Sequence, residues 1–138
     1  MKTILYTAKD TNGNWIEGLP YYSNGLGEWK ISHSNRWIPS YSNPDEGEST
    51  LLTNIDSETI CQYVRDDING KPIFEHQKFT FNYIVGIDDF DKLTGSFAYS
   101  DEELRFEIDI WHSDEYTYIS YNPVLMYNFQ LIEDNPSL

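Results

Sequence analysis

Thr59-Ile60-Cys61-Gln62-Tyr63-Val64-Arg65-Asp66-Asp67-Ile68-Asn69-Gly70-Lys71-Pro72-Ile73-Phe74-Glu75 reads as strand, turn and strand. Side chains alternate across an extended segment, so Ile60, Gln62 and Val64 share one side while Cys61 and Tyr63 share the other. Asp67, Asn69 and Gly70 supply the turn, because Asn and Gly tolerate the positive φ angles of a tight hairpin. Ile73 restarts a strand that is expected to continue through Lys78-Phe79-Thr80-Phe81-Asn82-Tyr83-Ile84-Val85.

The same alternation recurs on both sides of this hairpin. Residues 3–8 alternate as a first strand, and Asp10-Thr11-Asn12-Gly13-Asn14 turns the chain towards Trp15 and Ile16. Gly18 to Gly27 reads as a loop, with Tyr21-Tyr22 as a short strand at most. Glu28-Trp29-Lys30-Ile31-Ser32 and Arg36-Trp37-Ile38 form a second plausible pair. The polar run from Pro39 to Thr50, with two prolines, Gly47 and three acids, is the best candidate for a flexible linker or exposed loop. Beyond the hairpin, Asp88-Asp89-Phe90-Asp91 reads as an acidic turn, and Ser96 to Tyr99 as a strand after a small-residue turn at Thr94-Gly95. Leu104, Phe106, Ile108 and Ile110 alternate with Arg105, Glu107, Asp109 and Trp111, the clearest half-buried strand in the chain. Tyr116–Tyr121 and Met126–Ile132 complete about nine strands, which argues for a small barrel or roll.

Composition agrees. Eleven Tyr, seven Phe and four Trp give a chain that is 16% aromatic, ample for a packed core and wrong for an acidic disordered tail. Only Ala8 and Ala98 supply alanine, so no long helix has a propensity basis. The 138 residues suit one compact domain with room for a small appended lobe. No apolar run approaches the roughly 20 residues of a membrane span, and residues 1–10 lack the apolar core of a signal peptide. A single cysteine, Cys61, excludes an internal disulfide and reads as a small buried hydrophobe. These features point to the cytoplasm and away from membranes.

Nine basic and 23 acidic side chains leave a net charge of −14. A surface this acidic repels phosphate backbones, so direct nucleic-acid binding is not expected. The acids concentrate late: from Ile84 to Leu138 only Lys92 and Arg105 stand against them. Asp101, Glu102 and Glu103 lie at the centre of that region, together with Asp88, Asp89, Asp91, Glu107, Asp109, Asp114 and Glu115. Such a face is either ordinary strand exterior or a mimic of phosphate spacing that occupies the groove of a nucleic-acid enzyme.

Catalytic and metal chemistry finds no signature. His33, His76 and His112 are scattered among polar residues without the convergent spacing that zinc requires. Asp88-Asp89-x-Asp91 lacks the glycine and the twelfth-position Glu of a calcium loop. No phosphate-binding glycine loop or nucleophile elbow occurs, so no catalytic residue, cofactor or metal is assigned. Trp15, Trp29 and Trp37 in the first third either fill the core of a lobe or stand outward as anchors for a protein partner.

Three pieces, in order, resemble the YopX family of phage and prophage proteins. The central hairpin is similar to that family's Gln-Tyr-Thr-Gly-x-x-Asp-x-Asn-Gly-Lys-x-Ile-Tyr-Glu-Gly-Asp, with Tyr63-Val64-Arg65 and Glu75-His76-Gln77 replacing the two glycine-containing triplets. Tyr6 to Gly18 looks like the family's opening hairpin, and Phe129 to Pro136 like its closing strand and Asp-Asn-Pro end. The resemblance implies a mainly β fold with an SH3-like small barrel or β-roll over residues 49–138. An N-terminal β-hairpin lobe would occupy residues 1–48. It implies no catalytic residues, since the family has no established activity. The expected function is that of a non-enzymatic accessory protein working through protein–protein contacts or self-association. The alternative is an acidic, DNA-mimic-like inhibitor of a nucleic-acid-binding enzyme.

Overall fold

The computed structural model describes residues 6–23, 27–32, 52–112 and 115–137. Among them the fold is mainly β, with one short 3-10 turn at Ser57–Thr59. The strands are β1 (Tyr6–Lys9), β2 (Trp15–Ser23), β3 (Glu28–Ser32), β4 (Leu52–Asn54), β5 (Cys61–Asp66) and β6 (Pro72–Phe74). They continue with β7 (Lys78–Val85), β8 (Asp88–Ser100), β9 (Arg105–His112), β10 (Glu115–Ser120) and β11 (Met126–Leu131). One sheet has the order β4-β3-β2-β1-β5-β6 and the other β10-β9-β8-β7-β11. Neither order closes on itself. The pairings of β1 with β2 and β5, β2 with β3, β3 with β4, β7 with β8 and β11, and β9 with β8 and β10 are antiparallel. The chain packs as two compact units that divide between Tyr63 and Val64, and the segment around residue 48 lies outside the described residues.

In the first unit, Asp10 makes the expected turn. Its Oδ1 accepts from the backbone N–H groups of Asn12 and Asn14, each at 2.9 Å, and Gly13 takes φ +83°. This sets Lys9 opposite Trp15 and Tyr6 opposite Gly18. The expected loop from Gly18 is instead strand: β2 runs on through Pro20, and Leu19 to Ser23 pair with β3. Ala8, Ile31 and Ile55 form the buried core, with Ile16 and Ile60 packed against it. Of the tryptophans singled out in the sequence, Trp15 and Trp29 do not fill it: Trp15 is half-buried and Trp29 is 38% exposed.

The second unit has a phenylalanine core. Phe79, Phe81, Phe97 and Phe129 are fully buried, with ring centroids 4.7 Å apart for Phe79 and Phe97 and 5.6 Å for Phe81 and Phe129. Each such ring contributes about 1.5–3 kcal/mol by leaving water. Ile73, Ile108, Ile110 and Met126 complete the cluster. Arg65 lies over the Phe129 ring at 4.2 Å and donates from Nη1 to the Tyr121 hydroxyl at 3.2 Å.

Four expectations change here. The strand restarted at Ile73 stops at Phe74, and β6 and β7 belong to different sheets. Gln77 is the cause: its buried side chain accepts from Phe74 N–H at 2.7 Å and donates to the Asp134 carbonyl at 2.9 Å, which fixes a corner. The acidic stretch from Asp88 to Asp91 is strand, since the β7–β8 connection needs only Gly86 (φ +63°) and Ile87. Gly95 lies inside β8, not in a turn: a Cβ there would stand 2.6 Å from Ile108 Cγ2 and 2.9 Å from the Asp109 carbonyl oxygen. Leu104 leaves the expected inward row as well. It sits at φ +53° in the β8–β9 turn and is 75% exposed, whereas Phe106, Ile108 and Ile110 face in.

Candidate functional site

The outer face of the β8–β9–β10 meander holds a cleft of about 490 Å3. Register places Ser96, Asp109 and Tyr118 in one cross-strand row, and Ala98, Glu107 and Ser120 in the next. Ser100 pairs with Arg105 at the end of the same face. Strand alternation explains why these side chains share a side: Phe106, Ile108 and Ile110 take the inward positions, leaving Arg105, Glu107 and Asp109 for the other. The depression follows from size, because the small Ala98 and Ser120 flank Glu107. Tyr99, Glu102, Glu103, Arg105 and Tyr118 line the cleft around them.

Glu107 is the unusual member. Sequence alternation assigned it to the solvent side with its strand neighbours, yet it is only 8% exposed. Among the described residues no hydrogen bond or ion pair reaches its carboxylate. The ion pair seen on this face joins Arg105 Nη2 to Glu103 at 3.8 Å, with both side chains more than half exposed. Such a pair holds little energy in water.

Of the acids singled out in the sequence, Glu102 and Glu103 reach this cleft, and Asp101 lies in the same exposed turn without lining it. Glu107 and Asp109 join them through the sheet register. Among the described residues no three carboxylate, imidazole or thiol groups come together as a metal site.

The first unit carries a second, apolar cleft of about 310 Å3, lined by Tyr6, Leu19, Pro20, Trp29 and Ile60. Trp29 meets Tyr22 edge-on with centroids 5.4 Å apart, and Leu19 and Tyr22 are 39% and 43% exposed. Cross-strand pairing of Tyr22 with Trp29 holds this pair in place. Trp15 stands elsewhere, with Lys9 Nζ 5.5 Å from its ring centre. Trp37 lies outside the described residues. His76 occupies the β6–β7 corner, while His33 and the side chain of His112 lie outside the described set. Cys61 is buried and its Sγ donates to the Thr59 carbonyl at 3.4 Å, the small-hydrophobe role expected of it.

Comparison with known protein families, with curated proteins and with solved structures gives no match to this chain. Among the described residues no helix is long and apolar enough to cross a membrane.

Proposed function

We propose that this chain is a non-enzymatic accessory protein of the YopX-like phage and prophage type, acting through contacts with another protein or with its own copies. The observation that carries this reading is the apolar cleft at Tyr6, Leu19, Pro20, Trp29 and Ile60, where a tryptophan stands at the surface against an ordered tyrosine. Aromatic anchors of this kind dominate binding energy at protein interfaces. The finer fold that accompanies the reading is an SH3-like small barrel or β-roll over residues 49–138.

The test is affinity capture with the wild-type protein and with Trp29→Ala, at low and high salt, together with light scattering across a concentration series. A captured species or a self-associated form that survives high salt and is lost in Trp29→Ala is the expected result. A monomer that captures nothing dependent on Trp29 at either salt overturns the reading.

A second reading is favoured by one observation, the shared lining of the β8–β10 cleft by Glu102, Glu103, Glu107 and Asp109. In it the protein is an acidic inhibitor of a nucleic-acid-binding enzyme, occupying a basic groove. Its signature is a basic partner that is lost at high salt and displaced by duplex DNA.

A further inference from the structure

We propose that the β8–β10 cleft is a receptor for an arginine side chain presented by a basic protein segment; this rests on the reading of the acidic face as a protein-binding surface. Three observations converge. Four carboxylates line the cleft, and Arg105 pairs with Glu103 only, so Glu102, Glu107 and Asp109 have no cationic partner among the described residues. Glu107 is nine-tenths buried on the cleft floor without a hydrogen-bond partner among those residues, an arrangement that costs free energy until a cation arrives. One tyrosine, Tyr118, stands on the cleft face opposite Asp109 and is 63% exposed.

The ligand chemistry follows from the set. A bare metal ion needs three or more donors converging on one point, and the described carboxylates do not converge. A guanidinium is planar, carries five N–H donors in a fork that spans separated carboxylates, and is weakly hydrated, so it enters a half-closed cleft at lower cost than an ammonium. It also stacks on tyrosine rings, which a compact ammonium does less well. A cleft of about 490 Å3 lies in the range that holds a ligand of this size. Phosphate-bearing ligands are repelled by the same carboxylates, which leaves a basic polypeptide as the source of the arginine.

The experiment titrates the 15N-labelled full chain with blocked tri-arginine, tri-lysine and tri-citrulline peptides at about 0.15 M ionic strength, where the Debye length is about 8 Å. Amide shifts for the tri-arginine peptide should concentrate in residues 98–109 and 117–120, with weaker binding of tri-lysine and none of tri-citrulline. Glu107→Gln preserves shape and removes the buried charge, so it should weaken tri-arginine binding about tenfold or more. Glu58→Gln removes an exposed charge from the first unit and should leave affinity within about twofold. Melting curves establish that both variants fold, and Asp109→Asn replaces Glu107→Gln if that variant does not. Equal losses in the two variants, or equal affinity for arginine and lysine peptides, would overturn the receptor while leaving a diffuse acidic surface. Absence of binding by either peptide would remove both the receptor and the acidic-partner reading.

Discussion

Asp67 gathers three backbone N–H groups on one buried carboxylate. Oδ1 accepts from Asn69 at 2.8 Å and from Lys71 at 2.9 Å, and Oδ2 accepts from Leu131 at 3.3 Å. Burial opposes the charged form, but the hydrogen bonds from Lys71, Leu131 and Asn69, with the nearby Lys71 charge, outweigh it and hold the carboxyl below its ordinary value of 3.8. A folded pKa below the unfolded one means that this stabilisation is present above the unfolded value and is lost as pH falls through the folded value. Asp67→Asn places an amide donor towards an N–H group and should cost about 1–3 kcal/mol at neutral pH. Urea denaturation at neutral pH and again below the carboxylate range checks this, since the gap between wild type and variant should narrow in acid. His76 is a second informative residue. It adopts φ +68° at the position where the resembling motif carries glycine, with its backbone N–H donating to Phe97 and its carbonyl accepting from Ser137. A non-glycine residue there is strained, so His76→Gly should raise stability by about 1 kcal/mol, read as a higher denaturation midpoint. An unchanged or lower midpoint would show that the imidazole does more than fill the corner.

Strands and turns carry their own logic. The hairpin from β5 to β6 was legible because its turn chemistry is local: Gly70 takes φ +81° and donates to the Asp67 carbonyl at 3.0 Å. The break after Phe74 was not legible, because the groups that fix it come from the far end of the chain. Gln77 bonds the Asp134 carbonyl, Lys78 N–H donates to Glu133 at 2.8 Å, and Ser137 N–H donates to the His76 carbonyl at 2.8 Å. Gly95 shows the same limit. A glycine beside a threonine reads as a turn, yet here it lets β9 and the Phe81 ring approach β8 closely. Gly95→Ala should therefore destabilise the second unit by about 1–3 kcal/mol, through overpacking against Ile108 and the Asp109 backbone. Thermal melting checks this, and a neutral outcome would mean that β9 shifts freely at that point.

Charge is the property of the whole molecule. At −14 the chain repels itself when folded, and screening relieves this more in the compact state than in the expanded one. Added sodium chloride should raise the melting temperature by several degrees, and a fall would show that attractive pairs outweigh the repulsion. By itself the sequence determined the mainly β class, the turn at Asp10, the β5–β6 hairpin, the inward Phe106–Ile108–Ile110 row and the exclusion of a disulfide. Each of these depends on side-chain alternation, local φ preference or residue counts, which are properties of neighbours in the chain. Tertiary structure alone decided that Phe, not Trp, fills the larger core, and that Trp29 stands at the edge of an apolar cleft. It alone decided that Glu107 is buried beside Ala98 and Ser120. Burial and register depend on which strands lie side by side, and pairings among β8, β9 and β10 are set by packing of the whole Phe core rather than by any single stretch of residues.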